Sequence, residues 1–78
     1  MNQDKKILDV ISAHLGLIPE DIDRHASLHD ELGLGPVQLN DLLNELSNKF
    51  DIIFTPEDVE HLEDVEDLIF LIEDNLID

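Results

Sequence analysis

Apolar residues recur along this chain with the spacing of helices. Ile7, Leu8, Ile11 and Leu15 fall at i, i+1, i+4 and i+8, a one-sided stripe that stops at Gly16. Pro19 blocks continuation, and residues 16–35 read as a long connection. A structureless loop of that length is unusual in a small fold, so Leu17, Ile22, Leu28 and Leu32 are expected to anchor it on the core. The second stripe is the clearest: Leu39, Leu42, Leu43, Leu46 and Phe50 lie on one helical face. Gly35-Pro36 marks its start, because proline at the first helical position gives up an N–H that would be unpaired there anyway.

A short third helix is predicted from Thr55, with Thr55 as cap, Pro56 at the first position and Asp58 closing a capping-box variant. The fourth carries Val65, Leu68, Ile69, Ile72 and Leu76 and is expected to be capped by Asp64. Between helices two and three, Ile52-Ile53-Phe54 has no evident strand to pair with and is read as a plug for the core. Phe50, Phe54 and Phe70 are likewise expected inside. The pattern predicts an all-α fold: a small four-helix bundle with a long loop between helices one and two, forming one domain over residues 1–78.

Charge narrows the functions. Twenty Asp and Glu against four Lys and Arg give a net charge of −16. Such a surface repels phosphate backbones and anionic lipid, so no nucleic acid and no membrane surface is expected as a partner. It favours basic protein surfaces and, weakly, divalent cations. Residues 55–78 hold ten acids, among them Glu57, Glu60, Glu63 and Asp78, and no Lys or Arg. The longest apolar run, Leu68 to Ile72, is far too short to span a bilayer, and a cytoplasmic location is expected. Without cysteine there is neither a disulfide nor a thiolate ligand or nucleophile.

Catalytic and metal signals are weak. Gly33-Leu34-Gly35 lacks the third glycine and the lysine of a phosphate loop and reads as a turn. His25 and His29 are four apart but lie in the loop without a third ligand, so no metal site is expected. Asp21-x-Asp23 begins like a calcium loop, but Ala26 and Leu32 occupy its required glycine and glutamate positions. A small bundle also offers little of the concave surface that catalysis needs, so the chain is not expected to be an enzyme.

The order of elements resembles the acyl carrier protein family over nearly the whole chain. The resemblance rests on Leu15-Gly16-Leu17, on the stretch from His25 to Gly33, on Asp41-Leu42-Leu43 with Leu46 and Phe50-Asp51, and on Pro56-Glu57 after an apolar pair. It implies a fold whose second helix opens on Asp-Ser-Leu, the serine carrying 4′-phosphopantetheine as a phosphodiester. Here those positions read Gly35-Pro36-Val37. Pro36, the equivalent of the attachment serine, has no hydroxyl, so no phosphopantetheine is expected there. The resemblance also implies that partners read helix two and that the bundle interior can admit an acyl chain. The helix-two face has become neutral, with Pro36, Asn40, Asn44 and Ser47 forming an uncharged polar stripe. Partner binding is therefore assigned to Gln38, Asp41, Asn44, Glu45, Glu57, Glu60 and Glu63, facing basic surfaces on acyl-transfer or lipid-synthesis enzymes. Two alternatives stay open: a functional acyl carrier of fatty-acid or polyketide-type synthesis modified at another site, and an acidic protein that responds to divalent cations.

Overall fold

Each predicted stripe becomes a helix in the computed structural model, which describes residues 3–76. Asp78, counted above among the acids, lies outside the described residues. The helices are α1 (Asp4–Leu15), α2 (Pro36–Phe50), α3 (Pro56–Glu60) and α4 (Val65–Leu76), with a single 3-10 turn at Pro19–Asp21. The described residues contain no strand, only an isolated antiparallel bridge between Ser27 and Asp64. None of these helices is long and apolar enough to cross a membrane.

The helix ends follow the local chemistry. Gly16 closes α1 with φ 74°, a left-handed conformation that glycine adopts without steric cost. At α3 the Asp58 N–H reaches Thr55 Oγ1 at 3.1 Å and the Thr55 N–H reaches Asp58 Oδ2 at 3.3 Å, so the capping box is complete. At α4 the Asp67 N–H donates to Asp64 Oδ1 at 2.8 Å. Asp51 ends α2 at φ 56°, and its N–H bonds to the Ser47 carbonyl.

One core holds these elements together. Ile7 and Ile11 of α1, Leu42, Leu43 and Leu46 of α2, and Val65, Leu68, Ile69 and Ile72 of α4 are buried against one another. The long connection adds Ile22, Ala26, Leu28 and Leu34. Ile22, Leu28 and the half-buried Leu32 anchor it as expected, whereas Leu17 stays 42% exposed. Leu17 fails as an anchor because the chain turns at Gly16 and leaves the core face before reaching the 3-10 turn.

Backbone bonds fasten the connection as well. The Leu28 N–H donates to the Glu63 carbonyl at 2.9 Å. In return the Val65 and Glu66 N–H groups donate to the Ala26 and Arg24 carbonyls at 3.1 and 2.8 Å. These two donors are the first of α4 and have no carbonyl within their own helix. Ser27 folds the next stretch: its Oγ accepts from the Asp30 N–H, and its own N–H reaches Glu31 Oε1, both at 3.0 Å. Gly33 at φ 69° then lets Leu34 turn back, its N–H bonding to the Leu28 carbonyl at 3.0 Å.

Two expected core residues are not inside. Phe70 is 54% exposed and Ile53 80% exposed. Phe70 lies five residues after Val65, off the buried stripe of α4, so its helical position and not its hydrophobicity decides its environment. Of the Ile52-Ile53-Phe54 plug, Ile52 is buried and Phe54 half-buried, while the alternation of extended chain turns Ile53 outward.

Candidate functional site at the start of helix two

Gly35 precedes α2 in extended backbone (φ −76°, ψ 177°) and has no side chain with which to cap it. Pro36 occupies the first helical position and contributes no N–H. The first intrahelical bond runs from the Leu39 N–H to the Gly35 carbonyl at 2.9 Å. Among the described residues no partner accepts from the N–H groups of Val37 or Gln38. The first turn of α2 holds no acid, whereas Asp4, Glu57 with Asp58, and Glu66 with Asp67 occupy the first turns of α1, α3 and α4. The end of α2 therefore keeps exposed donors and the positive end of a helix dipole uncompensated.

Beside Pro36 lies a cleft of about 350 Å³. Leu34, Pro36, Leu39, Leu43 and Val59 give it an apolar lining, with His29 and Asn40 at its edge. His29 is held by its Nδ1–H, which donates to the Leu34 carbonyl at 3.2 Å. Gln38 folds back over Gly35, its Oε1 resting 2.7 Å from where a Cβ would stand. A side chain at residue 35 therefore requires the flexible Gln38 amide to swing aside.

The geometry at residue 36 does not fit a phosphoester. A pyrrolidine ring presents only carbon to solvent, and no oxygen is available to esterify. The chain's other aliphatic hydroxyls all take part in local structure. Ser12 is buried and donates to the Asp9 carbonyl at 2.9 Å. Ser27 Oγ and Thr55 Oγ1 accept the turn and cap bonds already described. Ser47 Oγ donates to the Ile52 carbonyl and closes the turn after α2. Ser47 thus leaves the open polar stripe to which its spacing had assigned it.

The seven residues assigned to partner binding do not form one face. Gln38, Asp41 and Asn44 are exposed and follow one another at i, i+3 and i+6 along α2. Asn44 lines a small hollow with Asn40, Ile53 and Val59, toward α3. Half-buried Glu45 lines a different groove, with Val10, Ala13 and His14 of α1. The divergence follows from helical geometry, which sends positions 44 and 45 about 100° apart. Glu57, Glu60 and Glu63 are exposed on and after α3. Sequence reasoning missed Val37, 71% exposed next to Pro36, and the exposed Ile53. The only signal for Val37 was its position off the Leu39-Leu42-Leu43-Leu46 stripe.

Elsewhere the carboxylates interact mainly with backbone and with each other. Asp4 pairs with Arg24 at 3.0 Å. Its carboxyl is held below the usual range, first by a hydrogen bond from Glu73 and then by Arg24. Glu73 is pushed above its ordinary value by the same bond to Asp4, with burial adding to it. Among the described residues no group of three or more His, Asp or Glu side chains is arranged to hold a metal ion.

Residues 5–72 match the family described as the phosphopantetheine attachment site. The chain is 31% identical over 68 residues to the acyl carrier protein of Bdellovibrio bacteriovorus, covering 87% of each chain. It is 29% identical over 65 residues to that of Chlorobium phaeobacteroides, covering 83% of each. With the four helices and the long anchored connection in place, this chain belongs to the acyl carrier protein family.

Proposed function

We propose that this chain is an acyl-carrier-fold interaction module that carries no phosphopantetheine arm and acts by binding other proteins, without catalysis. One observation carries the reading: Pro36 stands at the first position of α2, where the resemblance puts the acceptor serine. The hydrogen bonds made by Ser12, Ser27, Ser47 and Thr55 support it, since each hydroxyl is committed to a turn, a cap or the helix interior. None of them opens α2.

Partners are basic protein surfaces, and the family points to enzymes of acyl transfer or lipid synthesis. They would meet the α2–α3 side, where Gln38, Asp41 and Asn44 offer polar contacts and Val37 and Ile53 offer exposed apolar ones. Glu57, Glu60 and Glu63 supply the negative charge that α2 has largely given up. The apolar cleft beside Pro36 favours one accessory role, the holding of an acyl chain without a covalent bond.

The decisive measurement is intact mass after incubation with coenzyme A and a broad-specificity phosphopantetheinyl transferase. The mass is expected to stay unchanged. A gain of one phosphopantetheine, here or on protein recovered from its native cell, overturns the reading.

A further inference from the structure

The flank of α4 that faces away from the core has an unusual composition. Asp67, Phe70 and Asp74 follow one another at i, i+3 and i+7, so one exposed aromatic ring sits between two carboxylates on a single stripe. This stripe forms one wall of an open groove of about 660 Å³ between α3 and α4. Leu62 and Leu71, both half-buried, complete an apolar floor beside Phe70. Glu57 and Asp58 face them from α3.

No lysine or arginine lies anywhere after Lys49. The Asp58 carboxylate accepts from the Thr55 N–H, the Asp67 carboxylate from the Glu63 N–H, and Glu73 shares a hydrogen bond with Asp4, but Glu57 and Asp74 make no ion pair among the described residues. The groove thus combines an apolar floor with carboxylates and no Lys or Arg in its lining, the His61 imidazole beside them donating its Nδ1–H to the Glu57 carbonyl. A second copy of the chain, at −16, is repelled from it, as are nucleic acid and anionic lipid. A segment that alternates apolar and cationic side chains satisfies both features. The stem of a Lys or Arg lies on the Phe70 ring, where the π-face attracts its charge, and the head reaches the flanking carboxylates.

We infer that the α3–α4 groove is a docking site for a cationic amphipathic segment of a partner protein, anchored on Phe70. The site shares no residue with the start of α2 and stands whether or not residue 36 carries a group.

The probe is a short Leu/Lys amphipathic helical peptide, titrated into the isotope-labelled full chain at physiological ionic strength, with a Ser/Lys peptide of equal charge as control. Backbone resonances of Leu62, Phe70 and Leu71 are expected to shift. The Ser/Lys peptide is expected to bind about tenfold more weakly, as is the Leu/Lys peptide to Phe70→Ser. Because Phe70 is more than half exposed, that variant should keep the fold, which circular dichroism checks. Glu57→Gln with Asp74→Asn provides a second route that touches only exposed charge, and a loss of about fivefold is expected. Glu20→Gln with Asp21→Asn removes two charges outside the groove and should change affinity less than twofold. Equal affinity for the two peptides, no shifts on α3 and α4, or losses no larger than those of the Glu20/Asp21 variant overturn the inference.

Discussion

The first turns of α2 and α4 meet the same physical problem and solve it differently. Both begin with backbone donors that have no partner inside the helix. At α4 the Val65 and Glu66 N–H groups find the carbonyls of Ala26 and Arg24, and the Asp67 N–H finds Asp64. Two acids in that turn answer the helix dipole. At α2 a proline deletes one donor, a glycine offers no cap, and the N–H groups of Val37 and Gln38 face out. The closed end serves the fold. The open end is what the fold can spare, and it is where the family resemblance locates the chemistry.

The sharpest way to break this comparison is to give the open end its missing hydroxyl. Gly35→Asp with Pro36→Ser is expected to be modified by the transferase while the parent chain is not, an all-or-none difference in intact mass. If the pair remains unmodified although folded, the changes along α2 have removed transferase recognition as well as the acceptor. The next largest effect is at the closed end. Asp64→Ala deletes the cap and should cost about 1 kcal/mol, lowering Tm by roughly 4–8 °C in a domain of this size. Hydrogen exchange follows the same division, with the amides of Leu28, Val65 and Glu66 slow and those of Val37 and Gln38 near the unprotected rate.

Smaller effects sharpen the contrast. Gly35→Asp alone adds the missing side-chain acceptor, and should raise stability by only a few tenths of a kcal/mol, since glycine is itself tolerated at the capping position. Its Cβ displaces only the flexible end of Gln38. The smallest is the pH response of Glu73. Its pKa is raised above 4.5 in the folded state, so its protonation adds stability as pH falls toward that value. Asp4, lowered from 3.8, loses its contribution only below that. Glu73→Gln mimics the protonated group. It should raise Tm slightly at neutral pH and flatten the melting profile as pH falls from neutrality toward 4.5.

The helices were legible in the sequence because their signals are local. Proline at the first position, Thr55 with Asp58, Asp64 before Val65 and Gly16 after Leu15 each act within one turn. The fastening of residues 16–35 was only half legible. Its leucines were visible, but the bonds to Glu63, Val65 and Glu66 come from residues distant along the chain, and periodicity says nothing of them. Phe70 was misplaced for another reason. The run Leu68 to Ile72 surrounds α4 with apolar side chains, so hydrophobicity no longer tells which face is buried. At the candidate site, Pro36 could be read directly because it is an absence of chemistry in a single residue. The cleft beside it was hidden because Leu34 and Val59 join Leu39 and Leu43 only through the tertiary fold.

The exchange of backbone bonds between the connection and the α3–α4 junction also bears on the route by which the chain folds. It joins stretches separated by the whole of α2 and α3, so the first donors of α4 reach their acceptors only when a large loop has closed. That closure is slow relative to local helix growth, and it couples the ordering of the connection to the seating of α4. A ligand or force that lifts the beginning of α4 releases residues 24–28 with it.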